Sequence, residues 1–385
     1  MRILIDGLSA RSGGGVTRLV SLLRVLPEIA PQHDFFVLLS PKYQNQIINS
    51  LPNRIRPIPV TIRDSDLGSR TWFQNVSLPR VVQDLRIDGL YVSGESAYIR
   101  FPTTTVMLSG NLSLFSAPVG FSRSLTSLRL LLYRKSRFPL VRHAMQAAGT
   151  VAFVSEWMRD NVLKQIKLPL SKTMVLYHGL VDEFRQTEAR LPRLLKVEQE
   201  NSYILAVSSI APHKGYETLI EAYARANDLC NMPPVLIVGS ALHKPTLLSV
   251  QALIQRAGIG DKVHFMGAVR YDDLPQIYAN ACLFVLPTQL ESFGLPLLEA
   301  MGTGLPIITS DLPICRELCQ DAALYCPPGL ADLLAEQMES AMKNLDLRRS
   351  LAECGIARAA DFSWELTATR LISKLEELVR IHVQH

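Results

Sequence analysis

The stretch Leu283–Ser310 reads LFVLPTQLESFGLPLLEAMGTGLPIITS, and its punctuation decides the fold. Leu283–Leu286 is an apolar run of strand length. Pro287–Gly294 is a loop, and Pro296 suits the first turn of a helix, where its missing N–H leaves no bond unmade. Gly302 and Gly304 end that helix, and Pro306–Thr309 is apolar again. Strand, helix and strand at this spacing form a crossover, which joins parallel strands.

The scheme repeats in both directions. Tyr203–Val207, Val235–Val238 and Val263–Phe265 read as further strands, with helical patterns at Tyr216–Asn227, Pro245–Ala257, Tyr271–Ala279 and Pro296–Met301. In the first half, Arg2–Asp6, Phe35–Leu39, Ile55–Ile62, Gly89–Val92, Thr103–Leu108 and Thr150–Val154 alternate with helical or loop segments. The loop Ser9–Gly15, with Gly13, Gly14 and Gly15 at its end, leads into a helical pattern from Val16 to Ile29. An α/β fold of two parallel-sheet domains is therefore expected, with helices on both faces of each sheet. Their seam is expected in Asp182–Asn201, where charge is dense, apolar periodicity is weak and Pro192 interrupts. This gives domains at residues 1–190 and 191–362, followed by a long helical pattern at 363–385.

Composition agrees with two folded domains: 385 residues, 48% hydrophobic and 19% charged, too apolar for a disordered chain. No apolar run reaches the length of a membrane span, and Met1 leads directly into a strand, so no signal peptide and a cytoplasmic location are expected. The six cysteines fall at spacings that match no zinc or redox motif, which predicts idle thiols and no metal site. Net charge is +5, but residues 1–190 carry +11 and residues 191–385 carry −6. A basic half attracts something anionic. No zinc-finger, RNP-like or helix-turn-helix signature accompanies it, so nucleic acid is not the expected partner.

Glu291 and Glu299 flank the loop-to-helix junction of the opening stretch. That junction places free amides and the positive end of a helix dipole at the C-terminal edge of a parallel sheet, where such folds bind phosphorylated ligands. Phosphate repels carboxylates, so two acids there suit hydroxyl groups of a sugar or ribose. Spacing alone leaves a second reading open, in which Glu299 pairs within its helix and Glu291 is a solvated loop residue.

Glu291-Ser-Phe-Gly-Leu-Pro-Leu-Leu-Glu299 resembles the paired-glutamate motif of family-four glycosyltransferases, retaining enzymes of GT-B fold. Val207-Ser-Ser-Ile-Ala-Pro-His-Lys-Gly215 resembles their donor-phosphate motif. Val263-His-Phe-Met-Gly267 and Leu274–Ala281 resemble the segment around the nucleotide base, and Asp321-Ala-Ala and Phe362-Ser-Trp364 also fit. The similarity covers Tyr203–Leu375 closely and the first half loosely. A subgroup resembling O-antigen and exopolysaccharide mannosyltransferases matches one departure: Ser209 stands where many members carry arginine, and His213 precedes the lysine.

The resemblance implies two Rossmann-like domains facing a cleft, with the terminal helix packed back on the first. It implies that Glu299 holds the ribose, that Glu291 lies near the donor sugar, and that Lys214 neutralises the departing diphosphate. Ser292, Phe293, Gly294 and Leu295 would receive the diphosphate on backbone amides, with Ser209, His213 and Gly267 in the same donor site. Gly14 and Gly15 would let first-domain amides approach diphosphate or acceptor. Asn111, in place of the His or Asp of many members, would contact the sugar; no general base is needed where the leaving phosphate removes the acceptor proton. The donor would be a GDP- or UDP-sugar, mannose first, and the expected acceptor is a lipid-linked glycan at the inner face of a bacterial membrane. No further cofactor is implied.

Residues 120–143 interleave Arg123, Arg129, Arg134, Lys135, Arg137 and Arg142 with Leu, Phe and Tyr, as a surface helix or an anionic-membrane contact would. Asp64-Ser65-Asp66 fits a metal-binding D-x-D pattern but lies in the half without donor motifs, and reads as a loop. A nucleotide-sugar-binding protein without transferase activity, or a sugar-nucleotide epimerase, is the alternative function.

Overall fold

The computed structural model describes residues 1–10, 13–48, 51–60, 62, 67–116, 125–185, 202–230 and 232–384. Its chain divides into two units, the first comprising Met1–Pro118, Arg123–Gly179 and Ser363–His385, the second chiefly Leu180–Phe362.

In the first unit, β1 (Arg2–Asp6), β2 (Asp34–Leu38), β3 (Ile55–Ile58), β4 (Gly89–Val92), β5 (Thr104–Ser109), β6 (Thr150–Phe153) and β7 (Thr173–Val175) form one parallel sheet. Their order is β3-β2-β1-β4-β5-β6-β7. Ile5 lies opposite Val37 on one side and Tyr91 on the other. Leu4, Ile5 and Leu90 are fully buried, which explains the continuous apolar runs: both faces of the sheet are covered.

In the second unit, β8 (Tyr203–Val207), β9 (Val235–Val238), β10 (Val263–Gly267), β11 (Ala281–Leu286), β12 (Ile307–Ser310) and β13 (Ala323–Cys326) run parallel in the order β10-β9-β8-β11-β12-β13. The helix Leu295–Gly302 is the crossover between β11 and β12, and Phe284 lies opposite Ile307. Ile204, Leu219, Tyr223, Val235, Leu283 and Leu334 belong to one core cluster.

Each sheet reverses its direction of winding once, between β1 and β4 and between β8 and β11. These are the topological switch points, where the loops leaving neighbouring strands diverge and open a crevice at the sheet's C-terminal edge.

Several expectations need correction. The first helix spans Gly13–Ile29, so Gly14 and Gly15 lie in its first turn and not in a loop. First-turn N–H groups have no intrahelical partner, so a helix can begin on permissive glycine as readily as on Val16. β3 ends at Ile58, short of Ile62. β7 and β13 had no sequence counterpart; Thr173–Val175 is only three residues long and half-exposed throughout. The chain passes from the first unit to the second after Gly179, ahead of the expected seam, and residues 186–201 of that seam lie outside the described residues. The C-terminal helix Trp364–Gln384 packs within the first unit, where Thr367 Oγ1 donates to the Tyr177 carbonyl (2.7 Å) and His33 Nε2 meets Glu376 Oε1 (2.9 Å).

Candidate functional site

At the switch point of the second sheet, β8 delivers the loop Ser208–Gly215 and β11 delivers Pro287–Gly294. The two loops are stitched together: Gln289 N donates to the His213 carbonyl (2.7 Å), as does Thr288 Oγ1 (3.1 Å). Gly215 has φ +71°, and a Cβ there would run into the Pro287 carbonyl, so only glycine lets the loops close.

This closure brings Lys214 Nζ to 2.7 Å from Glu291 Oε2, with each side chain only 14% exposed. Ser292 N donates to the other oxygen of Glu291 (3.0 Å). Glu291 is therefore no solvated loop residue. Burial pushes its carboxyl up, but Lys214, the Ser292 amide and His213 outweigh burial and hold it below the usual range. His213 is driven down to about 4, by burial first and the Lys214 charge second, against the opposing pull of Glu291. It is neutral at pH 7, so Lys214 carries the cationic charge here.

Gly294, at φ +98°, starts the helix Leu295–Gly302, and no side chain caps it. The positive end of the helix thus faces the loop that bears Glu291. Phe293 turns its ring inward against Phe362 (6.2 Å between centroids). Ser209, half-buried, sits five residues before Lys214 and is too short to reach what an arginine there would touch. Gly267 ends β10, and its carbonyl accepts from Gly239 N (2.8 Å). Nothing lies within 4 Å of where its Cβ would be, so the space beside it is open.

Glu299 lies one turn into the same helix and is 3% exposed. Tyr278 OH donates to its Oε2 (2.8 Å). Burial raises its carboxyl to about 7 against the hydrogen bonds of Tyr278 and Tyr271, which favour the carboxylate. Sequence reading passed over both tyrosines; a Tyr in the apolar segment Leu274–Ala279 was the available signal, since a buried hydroxyl needs a partner.

The remaining candidates belong to the first unit. Gly14 and Gly15 follow β1. Asn111 follows β5 and caps the short turn Leu112–Leu114, its Oδ1 accepting from Ser113 N (3.1 Å) and Ser113 Oγ (2.6 Å). Glu95 had been missed: its Oε1 accepts from Ser109 Oγ (2.9 Å), Gly110 N (2.7 Å) and Asn111 N (2.8 Å), fixing the turn that presents Asn111. An isolated acid just past β4 was its only sequence mark.

Residues 117–124 and the side chains of 125–131 lie outside the described residues, as does Asp64–Asp66. Farther along the helix Leu125–Ala147, Leu132, Lys135, Leu140 and Arg142 are exposed. Among the described residues no helix is long and apolar enough to cross a membrane, and no group of three or more His, Cys, Asp or Glu could hold a metal ion. Cys282, Cys315, Cys319 and Cys326 are buried free thiols.

Two Rossmann-like parallel sheets, one presenting a lysine–glutamate pair beside an uncapped helix at its switch point, define an α/β protein of the GT-B class. The solved structure of Anabaena HepE in complex with UDP and glucose shares the fold, with TM-score 0.70, 20% identity and coverage of 98% of this chain and 99% of that one. Residues 189–358 match the family model described as Glycosyl transferases group 1. The chain resembles O-antigen mannosyltransferases. It is 26% identical over 237 residues to O-antigen chain mannosyltransferase B of Escherichia coli, covering 60% of this chain and 62% of that protein. It is 28% identical over 208 residues to O-antigen chain mannosyltransferase RfbU of Salmonella typhimurium, covering 54% of each. The chain thus spans less than two thirds of either relative.

Proposed function

We propose that this chain is a retaining hexosyltransferase of surface-polysaccharide synthesis, taking its sugar from a nucleoside-diphosphate donor. The observation that carries the reading is the Lys214–Glu291 pair at 2.7 Å beside the uncapped start of Leu295–Gly302. A diphosphate leaving group needs positive charge where its negative charge grows, and the ammonium and helix amides supply it without a metal. In this reading the amides from Ser292 to Leu295 receive the diphosphate, Glu299 accepts from the ribose hydroxyls, and Glu291 accepts from a sugar hydroxyl.

The reaction breaks the bond from the sugar C1 to the diphosphate oxygen and forms one from C1 to an acceptor oxygen on the same face. The acceptor proton passes to the departing diphosphate, so no protein base is required. Asn111, with its turn held by Glu95, lies on the acceptor side, along with Gly14 and Gly15.

The relatives' names favour mannose, hence GDP-mannose as first donor, and the UDP bound to Anabaena HepE makes UDP-sugars the second choice. A lipid-linked glycan at the cytosolic face of a membrane is the proposed acceptor, reached through the basic surface of the first unit. That surface has support in the sequence, since no Asp or Glu occurs between Ser96 and Ser155.

A thermal-shift screen with UDP, GDP and their hexose conjugates tests the reading, followed by NMR of the anomeric configuration of any product. Stabilisation by one nucleotide class and retained configuration are expected. Stabilisation without turnover on any glycan acceptor would favour a binding protein, and an epimerised free sugar nucleotide would favour an epimerase.

A further inference from the structure

Tyr278 is sealed inside the second unit. Its ring stacks on Phe284 (centroids 5.5 Å apart, planes at 20°), and the ring of Phe184 meets it edge-on at 5.5 Å. Its hydroxyl lies 2.8 Å from Glu299 Oε2 and 3.4 Å from the Pro296 carbonyl, so its single proton serves the carboxylate. Tyr271 adds a second hydrogen bond to Glu299, and its own ring tilts against Phe184 at 5.6 Å.

The helix that bears Glu299 needs no acid for its packing. Leu297, Leu298, Ala300 and Met301 around it are fully buried and apolar, so the hydroxyls of Tyr278 and Tyr271 are the polar groups that call for an acceptor there. A buried carboxylate costs stability unless something holds it. Here two phenol hydroxyls, fixed by ring packing, hold it at the C-terminal edge of the sheet.

We propose that Tyr278, assisted by Tyr271, is a positioning residue for the nucleotide: its hydroxyl orients the Glu299 carboxylate as an acceptor for the vicinal hydroxyls of a ribose. This rests on the reading of Glu299 as the ribose acceptor. It goes further by making affinity depend on a buried hydroxyl behind the carboxylate.

The titratable groups acting on Glu299 are these two tyrosines, with Tyr216 near Tyr278 behind them. Among the described residues no Lys, Arg or His acts on it from the neighbouring helices Pro313–Cys319 and Leu345–Ala359 or from the turn Asp182–Phe184. Burial and Glu299 push the Tyr278 hydroxyl well above the usual phenol range, so it stays a donor. The acceptor form of Glu299 is the ionised one, present above about pH 7 and lost below. Removing the Tyr278 hydroxyl withdraws a bond that favours the ionised form and moves that boundary upward.

Calorimetric titration of the full chain with UDP, GDP and their 2′-deoxy forms from pH 5.5 to 8.5 tests this on wild type, Tyr278→Phe, Tyr271→Phe and Glu299→Gln. Wild type is expected to bind one ribonucleotide more tightly as pH rises through about 7. Tyr278→Phe is expected to bind it about tenfold more weakly at pH 7, the worth of one hydrogen bond to a charged group. Its acid limb should move up by about one pH unit, and its preference for ribose over 2′-deoxyribose should shrink. Glu299→Gln should lose the pH dependence.

Wild-type affinity and pH profile in Tyr278→Phe, with Glu299→Gln still weakened, would overturn the role of Tyr278 alone. Equal weakening of ribo- and deoxyribonucleotides at every pH would mark Tyr278 as merely structural and overturn it too. Should Tyr278→Phe fail to fold, Tyr271→Phe carries the test, and wild-type behaviour there counts against the proposal. No nucleotide binding by wild type, or an unchanged Glu299→Gln, would remove the ribose reading and this inference with it.

Discussion

Lys214 Nζ and Glu291 Oε2 meet at 2.7 Å although 77 positions separate the two residues in the chain. Neither loop alone creates the pair; the parallel neighbours β8 and β11 set their loops side by side. In the proposed reaction both groups turn to the donor: Lys214 gains the diphosphate as its new counter-charge, and Glu291 keeps the Ser292 amide and gains a sugar hydroxyl as hydrogen-bond donors.

Lys214→Ala strands the Glu291 carboxylate in a mostly buried position. A loss of about 3 kcal/mol is expected, seen as a melting temperature lower by several degrees. Turnover should fall by at least about 100-fold, the scale for losing one group that stabilises a growing negative charge. Turnover within threefold of wild type would remove Lys214 from the mechanism.

Glu291→Gln keeps the shape and the bond from Ser292 N but removes the charge. Turnover should drop by about 100-fold or more while the dissociation constant of the bare nucleotide stays within about threefold, because the bare nucleotide lacks the hexose that Glu291 is proposed to hold. A parallel loss of nucleotide affinity would mean that Glu291 shapes the diphosphate site instead.

Glu299→Gln separates stability from function. The folded-state carboxyl, at about 7, is raised above its unfolded value of 4.5, so the stability it lends is complete below 4.5 and is lost as pH rises through 7. The neutral variant should therefore melt higher than wild type at pH 8, by up to about 3 kcal/mol of stability, and match it near pH 4.5. Nucleotide binding at pH 8 should weaken. Melting curves of the apo protein at the two pH values decide it, and a variant less stable than wild type at pH 8 would contradict the burial of an ionised Glu299.

His213→Gln should leave the donor KM within about twofold at pH 7, since an imidazole driven to about 4 brings no charge to the diphosphate. A tenfold rise would show that the ring contributes by contact.

Gly215→Ala should prevent the second unit from folding normally. The new Cβ collides with the Pro287 carbonyl at a φ of +71°, and both strain and clash act on the joint between the site's two loops. Circular dichroism and proteolysis would report it; a well-folded, active variant would mean that the loops can part without loss.

The strands that carry the site could be read from the sequence because a sheet covered on both faces writes itself as continuous apolar runs, as in Ala281–Leu286 and Tyr203–Val207. β7 escaped because its residues are half-exposed, and an edge strand of three residues leaves no pattern. Glu291 and Glu299 drew notice as two acids flanking a loop-to-helix junction in a poorly charged region, while Lys214 was assigned only through the resemblance of Val207–Gly215 to a donor-phosphate motif. Tyr278, Tyr271 and Glu95 did not, because a tyrosine in an apolar helix and a single acid after a strand look the same whether or not they hold another side chain.

Local order along the chain was fixed by the sequence alone: apolar runs, Pro296 at a helix start, and glycines where the backbone must turn left-handed, all short-range effects of sterics and solvent. Which residues became partners was decided only by the tertiary structure, which set β8 beside β11 and sank Glu299 against Tyr278. Those pairings depend on distance and burial, and the partners a buried carboxylate meets decide whether it is held ionised, as Glu291 is by Lys214, or raised to about 7, as Glu299 is among tyrosines.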